Sequence, residues 1–136
     1  VNKSELAGQL VIDEDIKLRL YRDTVGKLTG GVGHNFDDLG ISRAAAMFIL
    51  DEDIDIACAE LDKALPWWRG MSEQRQQAIA NMAFNMGVPK LLGFKNTLAA
   101  MKAGDYESAA NEMLNSKWAT QVGERAKRLA KMMRNG

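Results

Sequence analysis

The chain has 136 residues, 46% of them apolar and 26% charged, which is one domain's length with material for a core and a composition unlike that of a disordered segment. Its 18 basic and 18 acidic side chains cancel, which disfavours a general nucleic-acid binder. One cysteine (Cys58) and one histidine (His34) exclude a disulfide framework, and without several carboxylates they cannot build a common zinc site.

The charge is unevenly spread, with 13 acidic and 7 basic side chains in residues 1–65 against 5 and 11 in residues 66–136. Such a split suits attraction between the halves, or a basic surface meeting an anionic polymer. Every apolar run is broken by charge well before the roughly 20 residues of a membrane helix. The opening "VNKSELAGQL" lacks the basic and then apolar build of a signal peptide.

In chain order, Asn2 and Glu5 have capping-box spacing, and Leu6, Leu10 and Val11 follow at helical intervals, so a short helix is expected to end near Val11. "KLRLYRD" alternates as a strand, "DTVG" is turn chemistry, and "KLTGGVG" returns as a second strand, making a small hairpin sheet over 17–35. From Ser42 the pattern is helical: Met47, Leu50, Ile54, Ala57, Cys58, Leu61 and Leu65 recur at three and four until Pro66. A helix of that length can bridge two lobes. Ser72 caps a helix carrying Ile79, Met82, Ala83 and Met86, with Gly87 past its end. Helices are expected again over Phe94–Ala103, Asp105–Leu114 and Glu124–Met133.

The architecture is therefore α+β: a small β-hairpin lobe at about 12–50, joined by the long helix to a larger helical lobe of 1–11 and about 51–136, all in a single domain. Cys58 and methionines 82, 86, 101, 113 and 132 keep helical phase and read as core. The Trp67–Trp68 pair fits loop packing better than sugar stacking.

Two carboxylates and a hydroxyl stand close together in "IDEDIKLRLYRDTVGKLTGGVGHN" (Ile12–Asn35). Glu14 falls at the junction of helix and strand, Asp23 at the hairpin turn and Thr29 on the returning strand. Cleaving a glycosidic bond needs a proton for the leaving oxygen and a second group for the developing cation or the attacking water. The same residues also suit an ordinary turn, in which Asp23 caps its own backbone and Glu14 is solvated.

The stretch resembles the N-terminal signature of the phage-type lysozymes, glycoside hydrolase family 24, in which a glutamate, eight residues, an aspartate, five residues and a threonine precede G-x-G-H. Glu14, Asp23, Thr29 and Gly31-Val32-Gly33-His34 fill that pattern. "NMAFNMG" (81–87), "GFKNTL" (93–98) and "ERAKRL" (124–129) resemble the family's helical lobe in the same order. The resemblance implies a lysozyme-like fold and a muramidase cleaving the β-1,4 bond between N-acetylmuramic acid and N-acetylglucosamine.

Carried over, Glu14 is the general acid, Asp23 the second carboxylate and Thr29 the partner that holds a water. Phe84 and Asn85 correspond to a cleft-wall aromatic and an amide, Thr97 to a hydroxyl touching saccharide, and Asn35 to a backbone contact. Arg125 corresponds to a partner of the catalytic glutamate, Arg128 to a partner of Asp13, and Asp53 to a partner of His34. The short segment between His34 and Ser42 implies a trimmed small lobe. No metal or cofactor is implied, and the expected partner is peptidoglycan, met by a monomer without nucleic acid or a membrane segment. The protein is expected to be made in a host cytoplasm and to act on the periplasmic wall. A lytic transglycosylase needs only the glutamate, so Asp23 and Thr29 argue against it, and a non-catalytic wall-binding domain would have lost one of the two carboxylates.

Overall fold

The side-chain oxygen of Asn2 accepts the Glu5 N–H at 3.1 Å, satisfying one of the donors that a first helical turn leaves unpaired. In the computed structural model, which describes residues 1–136, that cap opens α1 (Lys3–Glu14). The helix runs past Val11 because the Asp15 N–H still bonds the Val11 carbonyl, at 3.0 Å. Asp15 then breaks it with φ +62° and takes the Ile16 N–H on its own carboxylate at 2.8 Å, the local bond that makes aspartate tolerable in left-handed backbone. That bond, with the Lys17 ammonium behind it, holds the Asp15 carboxyl below its ordinary range. Glu14 is thus the last residue of this helix, which was expected to end earlier, near Val11.

The expected hairpin is a three-stranded antiparallel sheet in chain order: β1 (Lys17–Arg22), β2 (Leu28–Gly31) and β3 (His34–Asn35). Arg22 pairs with Leu28 and Tyr21 with Thr29, and β3 sets Asn35 opposite Thr29 and His34 opposite Gly30. A β-carbon on Gly30 would lie 2.7 Å from Leu20 Cδ2 and 3.3 Å from Phe36 Cε2, so those side-chain ends would have to shift to admit it. The short helix α2 (Phe36–Leu39) follows, capped by the Asn35 side chain, which accepts the Asp38 N–H at 3.0 Å.

The long helix α3 (Arg43–Ala64) starts on Ser42, whose hydroxyl oxygen accepts the Ala45 N–H at 3.0 Å. Beyond Pro66 a 3-10 turn covers Trp68–Gly70. Trp68 is buried and donates its indole N–H to Asp62 at 2.7 Å, so it packs the loop as expected. Then come α4 (Glu73–Met86) capped by Ser72, α5 (Val88–Leu91), α6 (Lys95–Lys102), α7 (Tyr106–Leu114) capped by Asp105, α8 (Lys117–Val122) capped by Ser116, and α9 (Glu124–Asn135). No helix is long and apolar enough to cross a membrane.

The chain divides into two compact units, Val1–Phe48 and Ile49–Gly136, so α1 falls with the sheet and α3 contributes to both. In the second unit α9 packs on α7, α4 and α8, and α7 on α6. Met82, Met101, Met113 and Met133 are wholly buried there beside Leu61, Ile79, Leu91 and Leu129. Each such side chain contributes about 1.5–3 kcal/mol by leaving water. Ala78, Ala109, Ala110, Ala126 and Ala130 fill the helix contacts between them, and small side chains let the backbones approach. Cys58 is only half buried, at the edge of this core.

Candidate active site

In the first unit, the sequence brings its candidate residues onto the end of α1 (Glu14), the turn after β1 (Asp23), β2 (Thr29) and β3 (His34 and Asn35). The Glu14 carboxylate lies against Gly33, where φ is +63°. A β-carbon on Gly33 would come within 3.0 Å of Glu14 Oε2 and 3.1 Å of its Cδ. Glycine here serves both the left-handed turn and the close approach of the acid.

Asp23 does cap its own turn. Its Oδ1 accepts the Val25 N–H at 3.0 Å and the Lys27 N–H at 2.8 Å, while its own N–H donates to the Lys27 carbonyl at 2.9 Å. Both side-chain bonds fall on Oδ1, which leaves Oδ2 without a protein partner. Thr29 is 4% exposed, and its hydroxyl donates to the same Lys27 carbonyl at 2.8 Å. One residue, Lys27, thus touches both groups through its main chain: its N–H holds Asp23 and its C=O takes the proton of Thr29. With that proton committed, the lone pairs of Oγ1 remain to accept.

The rim of the turn is charged. Lys27 donates its ammonium to Asp38 at 2.9 Å, and Asp38 also receives the Asn35 amide at 2.9 Å. The ammonium, and behind it the amide, hold the Asp38 carboxyl low, while Asp38 raises Lys27. The Asn35 side chain is therefore engaged at the α2 cap through both its oxygen and its amide N–H. His34 Nε2 faces the Gly40 carbonyl at 2.6 Å and must carry the proton of that bond, since a carbonyl only accepts. Its ring meets Phe36 edge-on with centroids 4.6 Å apart.

In the second unit, α4 places Asn81, Phe84 and Asn85. Phe84 is exposed and shares a cavity of about 390 Å³ with Arg125, whose Nε donates to Asn81 at 2.9 Å. Asn85 and the buried Thr97 share a larger cavity of about 700 Å³. Asn85 accepts the Trp118 indole N–H at 2.9 Å, and Trp118 meets Phe94 edge-on at 6.4 Å. Asn115 and Gln121 add amides to the same wall. Asn81, Phe94, Asn115, Trp118 and Gln121 were not among the sequence candidates. The Ser116 cap, three residues before Ala119, is the one local sign of the helix that carries Trp118 and Gln121.

Asp53 on α3 and Arg128 on α9 are exposed residues of the second unit, and Asp13 on α1 is an exposed residue of the first. No group of three histidine, cysteine or carboxylate side chains is arranged to hold a metal ion.

A family model described as phage lysozyme matches residues 12–135. The pre-baseplate central spike protein of Enterobacteria phage T4 is 30% identical over 96% of this chain, which spans 28% of that protein's length. A probable T4-type lysozyme of Dictyostelium discoideum is 28% identical over 98% of this chain and 95% of its own. The SAR-endolysin of Escherichia phage Mu is 32% identical over 92% of this chain and 72% of its own.

Proposed function

The chain belongs to the phage lysozyme family, glycoside hydrolases that act on peptidoglycan, and we propose that it cleaves the β-1,4 bond between N-acetylmuramic acid and N-acetylglucosamine with inversion. Glu14 in its acid form gives its proton to the glycosidic oxygen as the bond to the anomeric carbon breaks. A water attacks that carbon from the opposite face, and Asp23 takes the proton the water loses. Thr29 orients the water.

The observation that carries this reading is the Asp23–Lys27–Thr29 arrangement. A water poised for attack must keep a lone pair for carbon and place its hydrogens on acceptors. Asp23 Oδ2 is unengaged, and Thr29 Oγ1 has already donated its own proton to Lys27, so both are acceptors. A nucleophilic Asp23 would have no use for the threonine, whereas inverting chemistry needs room for the water between the carboxyl groups.

Phe84, Asn85 and Thr97, with the backbone of Asn35, contact saccharide in this reading. Asp13, His34, Asp53, Arg125 and Arg128 keep, in this reading, the supporting roles that the family resemblance gives them. The protein works as a monomer and as one catalytic domain, without a cofactor, on the wall of a bacterial host.

The test is to digest purified peptidoglycan and weigh the new sugar ends. Reducing muramic-acid ends support hydrolysis, whereas anhydro ends mean a transglycosylase and no products mean a binding domain. NMR of fresh product settles the stereochemistry: α-anomer first means inversion, and β-anomer first would make Asp23 the nucleophile.

A further inference from the structure

The two carboxylates at the start of α2 lie against the turn that carries Asp23 and Thr29, and they hold it differently. Asp38 takes only the end of the flexible Lys27 side chain, at 2.9 Å. Asp37 takes main chain: its Oδ2 accepts the Leu28 N–H at 2.6 Å. The same oxygen receives the Arg22 guanidinium at 3.5 Å, and Arg22 also donates to the Gly26 carbonyl at 3.1 Å. Arg22 and Leu28 are paired across β1 and β2 next to the turn, so one carboxylate grips both sides of its base. Inside the turn, the remaining bonds run from Asp23 to Val25, Gly26 and Lys27, and all of them close on the turn itself.

We infer that Asp37 is a positioning residue for the Asp23–Thr29 pair, acting through the Leu28 N–H and Arg22 to fix the turn relative to α2. This rests on the roles proposed for Asp23 and Thr29. The Leu28 N–H and the Lys27 carbonyl that takes the Thr29 proton belong to one peptide unit, and the Lys27 N–H that holds Asp23 lies one unit earlier. Releasing Leu28 therefore shifts the acceptors of the attacking water together. A charge-assisted bond to a backbone N–H is short and stiff, which suits it to this task better than an ammonium on a four-carbon stem. Asp37 touches none of the reacting atoms, so its effect falls on the rate of the chemical step more than on binding.

The experiment compares the parent with Asp37→Ala and Asp37→Asn by kcat and KM on peptidoglycan and by amide hydrogen exchange. Misplacing a reacting group by about 1 Å costs on the order of 10²-fold, so Asp37→Ala is expected to lower kcat about 10- to 100-fold with KM nearly unchanged. Asp37→Asn retains an acceptor for the Leu28 N–H and should recover most of that loss. Exchange at the Val25 and Lys27 amides, which bond Asp23, should quicken in Asp37→Ala while exchange in α4 stays as in the parent. Parental kcat in Asp37→Ala, or a lowered kcat with unchanged exchange at Val25 and Lys27, overturns the inference. Should Asp37→Ala fail to fold, Arg22→Gln removes the guanidinium's contacts to both Asp37 and Gly26 while leaving the Leu28 bond, and is read in the same way, with a smaller loss. A parent that releases no reducing ends would defeat the proposed function, and the exchange at Val25 and Lys27 would still decide whether Asp37 holds the turn.

Discussion

The carboxylate of Glu14 packs closely on Gly33: a β-carbon there would lie 3.0 Å from Oε2, near enough that the acid would have to give way by a few tenths of an ångström. The end of α1 and the second turn of the sheet are thereby fitted to each other at the residue proposed to be the acid. Gly31 and Gly33 share the left-handed backbone, with φ +61° and +63°, but a β-carbon on Gly31 would meet nothing within 4 Å. Gly31→Ala and Gly33→Ala should thus suffer similar backbone strain, about 1–2 kcal/mol. Only Gly33→Ala displaces Glu14. It is expected to lose activity at least about tenfold beyond Gly31→Ala at matched stability, a modest share of what displacing a reacting group can cost. Equal activities in the two variants would show that the contact has no bearing on the chemistry.

Glu14→Gln keeps the shape of the side chain and removes the transferable proton. Because Glu14 is exposed and not part of a core, the variant should unfold at the parent's denaturant midpoint. Its turnover should fall about 10²- to 10⁴-fold, the range that general acid catalysis supplies. Residual activity within about tenfold of the parent removes Glu14 from the role of acid.

The Lys27–Asp38 pair makes stability depend on pH at both ends of the scale. Asp38 is lowered from its ordinary value of 3.8, chiefly by Lys27, so its contribution is complete above that value and is lost as pH falls through the folded-state pKa. Lys27 is raised from 10.5, chiefly by Asp38, so its contribution is complete below that value and is lost as pH rises through the folded-state pKa. Urea midpoints of Asp38→Asn and the parent should differ most between 3.8 and 10.5 and converge outside that window. The pair is solvent-exposed, so salt should shrink the difference. A difference that persists unchanged at the acidic extreme would assign it to something other than this pair.

Arg75 ties the start of α4 to the end of α9. Its Nε donates to the Met133 carbonyl at 2.7 Å and its Nη2 to the Arg134 carbonyl at 3.1 Å, and the guanidinium lies 3.6 Å from the centre of the Tyr106 ring. The two carbonyls belong to the last turn of a helix, where the helix itself supplies no donor. Removing two charge-assisted bonds and a cation–π contact predicts that Arg75→Ala costs about 2–4 kcal/mol by denaturant unfolding. Arg75→Lys should recover only part of this, because an ammonium lacks the planar fork that reaches both carbonyls. A midpoint within error of the parent for Arg75→Ala would refute this account of the α9 terminus.

Much of this protein is written in interactions between residues three or four apart, and those were legible in the sequence. The caps at Asn2 and Ser72, the stop after Leu65, the glycine past α4 and the phase of Ile79, Met82 and Met86 all follow from backbone groups and side chains of one local segment. The motif from Glu14 to His34 was legible through its resemblance to the phage-type lysozyme signature, since its spacing alone suits an ordinary turn as well. Short elements were not: α2, α5, α8 and β3 run from two to six residues, too few to display a period. Tertiary structure alone decided which distant groups meet. Asn85 and Trp118 are 33 residues apart, Asn81 and Arg125 are 44 apart, and Arg75 reaches carbonyls 58 and 59 residues away. Those partners are chosen by how α4, α8 and α9 pack, and packing depends on the shapes of many buried side chains at once. Even the bond from Leu28 to Asp37, only nine residues long, waits on it, because the sheet and α2 must both be in place before the carboxylate finds that N–H.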